Sequence, residues 1–119
     1  MERVTGIGGF FFRARDPDAL AAWYDKHLGV SPVPDSEGAE PWHQAAGPTA
    51  FAPFDESTDY FGDPKQMWMI NFRVANLDRM VAQLQAGDIA VEVQESEFGR
   101  FARLHDPEGN PIELWEPQD

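Results

Sequence analysis

Cysteine is absent from this 119-residue chain. That excludes disulfides, thiolate metal sites and cysteine nucleophiles together. Cations are scarce: 9 Lys and Arg stand against 21 Asp and Glu, for a formal net charge of −12. Nucleic acids bind by exchanging counterions for Lys and Arg, so a chain this acidic repels phosphate backbones over most of its surface. Nucleic acid and anionic membranes are not expected partners; a cationic small molecule would be drawn in. No run reaches the roughly 20 apolar residues of a membrane span. Met1 to Phe12 lacks the basic start, apolar core and cleavage site of an export signal, so the expectation is a cytoplasmic protein. Missing too are a Gly-x-Gly-x-x-Gly fingerprint, a phosphate loop and a Gly-x-Ser-x-Gly elbow.

What remains is globular. Hydrophobic residues make up 42% of the chain, with 9 Phe, 4 Trp and 2 Tyr. The length suits a single domain over 1–119, able to bury about two-thirds of its unfolded surface without staples.

The chain echoes itself. Displaced by 60, Phe12-Arg13 falls on Phe72-Arg73, Asp18 on Asp78, Leu20 on Met80 and Ala22 on Ala82. Ile7 to Ala14 reads as a strand, followed by Asp16 as an N-cap and Pro17 at the first helical position. Leu20, Trp23, Tyr24, His27 and Leu28 form one helical face, and Gly29 ends it. Between Val30 and Phe54, Pro32, Pro34, Pro41, Pro48 and Pro53 leave room only for short strands, near Val30–Pro34, Trp42–Ala46 and Thr49–Phe54. Turn-forming residues from Asp55 to Lys65 mark a linker. The second half repeats the order: a strand Met67–Val74, a helix capped by Asn76 with Leu77, Met80, Val81 and Leu84 on one face, and a stop at Gly87. Strands Ile89–Val93, Phe98–His105 and Pro111–Glu116 follow, the last two joined by Asp106-Pro107-Glu108-Gly109-Asn110. The fold class is α+β: two βαβββ modules, about 4–56 and 67–117, with a linker of about 55–66.

Two such modules, with Arg15-Asp16-Pro17-Asp18-Ala19-Leu20 opening the first helix and His105-Asp106-Pro107-Glu108-Gly109-Asn110-Pro111-Ile112-Glu113-Leu114-Trp115-Glu116 closing the second module, resemble the vicinal oxygen chelate superfamily. That group includes glyoxalases, bleomycin-resistance proteins and extradiol dioxygenases. The resemblance implies a cupped mixed sheet with helices packed outside, and a pairing of chains into a homodimer. It also implies a divalent metal held by one inward side chain from each of four strands. Those positions fall here on Gly9, Met69, Phe51 or Pro53, and Glu113. Only Glu113 can ligate a hard cation, because glycine has no side chain and a thioether is soft. No cofactor is expected. A rebuilt metal site would draw on His43, His105 and Glu113.

The resemblance points Glu113 into the cup, while Ile112 and Leu114 face the helices. Among aromatic groups its carboxyl would be raised by desolvation and act as a general acid or base. Equally, it would pair with Arg13, Arg73, Arg100 or Arg103 and hold the sheet together. Phe10, Phe12 and Phe72 read as core, whereas Phe51, Phe54, Tyr60, Phe61, Phe98, Phe101 and Trp115 would line an apolar pocket. The expected activity is binding of a small aromatic or cationic molecule at Phe51, Met69, Phe101, Glu113 and Trp115, without the usual metal. Two rivals stand beside it: a glyoxalase- or dioxygenase-like enzyme using Glu113 or a rebuilt metal site, and an interaction domain with a vestigial cup.

Overall fold

The computed structural model describes residues 1–34, 38–97 and 99–118. Helix α1 spans Pro17–Leu28. The Asp16 side chain accepts from the Ala19 N–H at 3.1 Å, satisfying one of the four free donors of the first turn. At the other end Gly29 takes φ +73°, a left-handed conformation, and its N–H returns to the Asp25 carbonyl. Strand β1 (Ile70–Arg73) leads to helix α2 (Leu77–Ala86), capped by Asn76 through the Arg79 N–H at 3.0 Å. Strands β2 (Glu92–Ser96), β3 (Gly99–His105) and β4 (Pro111–Glu116) complete the element order.

The four strands form one open mixed sheet in the order β1-β4-β3-β2, with β1 parallel to β4 and the other pairs antiparallel. One face is covered by both helices. Leu20 and Tyr24 of α1 and Leu77, Val81 and Leu84 of α2 meet Ala102, Leu104, Ile112 and Leu114 in the buried core. Each buried leucine contributes about 1.5–3 kcal/mol. Three polar ties reinforce the assembly. Glu108 accepts the Arg15 and Asp16 N–H groups at 2.7 and 3.0 Å, Glu116 accepts the Leu77 N–H at 2.8 Å, and Arg100 bridges Asp78 and Glu95. The Asp-Pro-Glu-Gly-Asn turn thus clamps the N-terminus of the first helix onto the second half of the chain.

The α+β class stands, and several expected strands need correction. Among the described residues, Ile7–Ala14, Val30–Pro34, Trp42–Ala46 and Thr49–Phe54 carry no ladder. Each proline between Val30 and Phe54 removes a ladder donor from the stretch that carries it. Met67–Val74 shortens to Ile70–Arg73, and Ile89–Val93 shifts to Glu92–Ser96, the register that the Ser96–Gly99 pair sets. Phe98 lies outside the described residues. Phe10 and Phe12 are not core. Exposed themselves, they pack against the half-buried Trp68, at 5.0 Å from its ring, and Phe12 reaches Tyr24.

Candidate functional site

The uncovered face of the sheet is built by alternation. With Ile112 and Leu114 against the helices, Glu113 and Trp115 must point the other way. Cross-strand register then fixes two rows. One runs Asn71, Glu113, Arg103, Glu92 and is polar throughout. Its neighbour runs Arg73, Trp115, Phe101, Gln94 and has an aromatic centre. The Phe101 and Trp115 rings lie within 7° of parallel, with centroids 6.5 Å apart. Both are half-buried, leaving an apolar shelf beside a polar strip.

Glu113 is 8% exposed, and both carboxylate oxygens are held. Asn71 Nδ2 donates to Oε1 at 2.7 Å, and the Tyr60 hydroxyl donates to Oε2. None of the arginines weighed as partners lies within ion-pair distance of Glu113 among the described residues. Arg100 is held by Asp78 and Glu95, and Arg73 donates to the Ala45 carbonyl at 3.0 Å. Arg103 donates to the Tyr60 carbonyl, and its guanidinium lies 4.9 Å from the centre of the Tyr60 ring, a cation–π contact. Burial first, and then the hydrogen bond to Glu113, push the Tyr60 phenol up to about 12, against the pull of Arg103.

Two buried donors have no partner among the described residues: Arg103 Nε and Trp115 Nε1. An unmet buried donor costs about 1–3 kcal/mol, so each asks for a reason. Both belong to this face.

The predicted site residues separate accordingly. Phe101, Glu113 and Trp115 come together on the open face, and Met69 stands one residue before β1. Phe51 is 85% exposed in a stretch without strand structure. His43 pairs with Glu40 at 3.3 Å, and His105 ends β3, exposed, opposite Pro111. No three His, Asp or Glu among the described residues are grouped to hold a metal ion. The donor set does not fit the superfamily's metal, since the carboxylate left to it is already bound by a phenol and an amide. Asn71 and the Tyr60 contact escaped the sequence reading. Asn71 meets Glu113 through the parallel β1–β4 register, which no local pattern in the sequence carries. Tyr60 sits in a turn-rich linker with no periodicity to orient it.

A helix-backed, four-stranded mixed sheet thus presents an open face that is part aromatic and part polar. The family model for the glyoxalase-like domain matches residues 9–115, and the chain belongs to that family, within the vicinal oxygen chelate superfamily. No curated protein matches it in sequence. Among solved structures it is similar to TnmS3, an antibiotic binding protein from Streptomyces sp. CB03234, at 23% identity and a TM-score of 0.68, over 99% of this chain and 100% of that one. A glyoxylase/bleomycin resistance protein/dioxygenase domain from Frankia sp. EAN1pec shares 19% identity over 98% and 100% of the two chains, with a TM-score of 0.65. Lactoylglutathione lyase from Agrobacterium tumefaciens shares 18% over 97% and 96%, with a TM-score of 0.59. At these identities the likeness is one of fold. No described helix is long and apolar enough to cross a membrane.

Proposed function

We propose that this protein binds a small aromatic molecule on the open face of its sheet, without the superfamily's metal. The molecule rests on Phe101 and Trp115, with Glu113 and Arg103 as its polar contacts and Met69 at the margin. The observation that carries this reading is the occupied carboxylate: Glu113 is engaged by Tyr60 and Asn71 and so serves as a hydrogen-bond acceptor rather than a metal ligand. Small-molecule sites are predominantly apolar and carry a few placed polar groups, and the shelf with Glu113 and Arg103 at its edge has both features. That one neighbour of the same fold is an antibiotic binding protein agrees with this role.

An enzyme remains the second reading, because another neighbour is a lactoylglutathione lyase and Glu113 faces the shelf. In that reading Glu113 moves a proton, or recruits His43 and His105 to a metal. A thermal-shift and calorimetric screen of small aromatic compounds tests binding, since a ligand that binds only the folded state raises its stability. Stoichiometric uptake of Ni²⁺, Mn²⁺ or Fe²⁺, abolished in Glu113→Gln, would instead favour the enzyme.

We also infer a homodimer. The chain exposes 9365 Å², against about 6,500 Å² for a folded monomer of this mass. Its radius of gyration is 15.3 Å, against about 13.5 Å for a chain of this length. Phe11, Val33, Phe51 and Met67 are all at least 79% exposed, which supports burial against a second copy. Sedimentation over a concentration range tests this.

A further inference from the structure

The open face is not bare. Across it lies Tyr60, carried by a segment whose other hydrogen bonds are largely its own. Thr58 and Gly62 close backbone turns onto Asp55 and Asp59, and the Asp55 and Asp63 side chains accept from Ser57 and Lys65. Tyr60 makes the segment's attachments to the sheet, through its hydroxyl to Glu113, its carbonyl to Arg103 and its ring over the Arg103 guanidinium. Phe54 stacks on the same ring at 5.6 Å. Tyr60 is therefore a planar hydroxyaromatic group seated on a carboxylate and a cation, tethered by a linker rich in turns.

We propose that the open face selects a planar hydroxyaromatic molecule, and that Tyr60 holds that molecule's place in the unliganded chain. This rests on the open face being the binding surface. The incoming hydroxyl donates to Glu113 Oε2 in place of the tyrosine, and its ring takes the place of the Tyr60 ring against Arg103, beside the Phe101–Trp115 shelf. An acceptor next to the hydroxyl, such as a ring carbonyl, answers Arg103 Nε, the buried donor that Tyr60 leaves without a partner. Two side chains at one spot thus match one ligand class: Glu113, an acceptor that takes a phenolic hydrogen, and Arg103, whose guanidinium lies against the ring and whose Nε is unmet. A metal is not needed for any of them.

The test compares 2-naphthol with 2-methoxynaphthalene, which keeps the ring and loses the donor. Both are titrated into the full chain, Tyr60→Ala, Tyr60→Phe and Glu113→Gln, with circular dichroism confirming the fold of each. The wild-type chain is expected to bind 2-naphthol at least about tenfold more tightly than the ether, as a hydrogen bond to a charged group implies. Tyr60→Ala should raise naphthol affinity severalfold by vacating the place. Tyr60→Phe, which keeps the ring, should raise it less, and Glu113→Gln should erase the preference for naphthol. Equal binding of naphthol and ether, or no gain in either Tyr60 variant, overturns the hydroxyaromatic proposal while leaving the open face as a binding surface. Failure of both compounds to bind any variant overturns the surface as well.

Discussion

Tyr24 and Asp106, 82 positions apart, meet in the core through a 2.7 Å hydrogen bond from the phenol to Asp106 Oδ2. Asp106 is 4% exposed and is saturated there. Its oxygens also accept the N–H groups of Glu108 and Asn110 and the Asn110 side-chain amide. A residue of the first helix is thereby bound to the turn that starts the last strand, beside the Glu108 clamp on the same helix's N-terminus. The joint belongs to the helix-covered side of the sheet, where Tyr24 packs in the core.

Tyr24→Phe removes only the hydroxyl and leaves one Asp106 acceptor site in a buried setting without its donor. A loss of about 1–2 kcal/mol is expected in urea unfolding, with an unchanged m value. Ligand binding on the open face should be unaffected. A variant as stable as the wild-type chain would mean that the bond contributes nothing net.

Both of the protein's tyrosines resist ionisation when folded. Tyr24 is raised well above 10.0 by burial and then by its bond to Asp106, and Tyr60 is pushed up to about 12. A phenol whose folded pKa exceeds its unfolded one contributes stability that is fully present below pH 10 and is lost as pH rises through the folded value. Melting temperature should therefore fall progressively above pH 10. In Tyr24→Phe the fall should be shallower, because the more strongly shifted group has been removed. An equally steep decline in that variant would place the alkaline sensitivity elsewhere.

The helices were legible because their boundaries are chemical and local. Asp16, Pro17 and Gly29 each act through their own backbone, and Asn76 caps the second helix in the same way. The facing of Glu113 was legible too, since Ile112 and Leu114 on either side are apolar and a strand alternates. The first-half strands were not, because alternation says that a segment could pair, not that it does, and the prolines between Val30 and Phe54 withhold donors there. What holds Glu113 was hidden for a related reason. Asn71 reaches it only through parallel register, and Tyr60 only through the path of a linker.

Asn71→Asp tests the polar row directly. The native amide donates to Glu113 at 2.7 Å, so the substitution replaces a donor with a second acid at contact distance. Two carboxylates that close cannot both ionise cheaply, and one is held protonated above the usual range of about 4. The sign follows: the pair is tolerated at low pH, and its cost grows as pH rises through that range. The variant should match the wild-type melting temperature near pH 4 and lose about 1–3 kcal/mol at pH 7. A deficit that does not vary with pH would show that the two side chains are not in contact.

Gly99→Ala probes the shelf from beneath. Gly99 opens β3 at φ +131°, a conformation that side chains rarely adopt, and an added Cβ would stand 3.1 Å from Trp115 Nε1 and 3.2 Å from the Glu116 carbonyl oxygen. The indole can shift, whereas the backbone carbonyl of β4 has little freedom to do so. Backbone strain alone costs about 1–3 kcal/mol, and the crowding displaces the Trp115 ring from its near-parallel setting with Phe101. The expected result is a lower melting temperature together with an altered tryptophan fluorescence spectrum and weaker binding of aromatic ligands. Loss of stability with the spectrum and the binding intact would separate Gly99 from the shelf and confine its role to the β2–β3 connection.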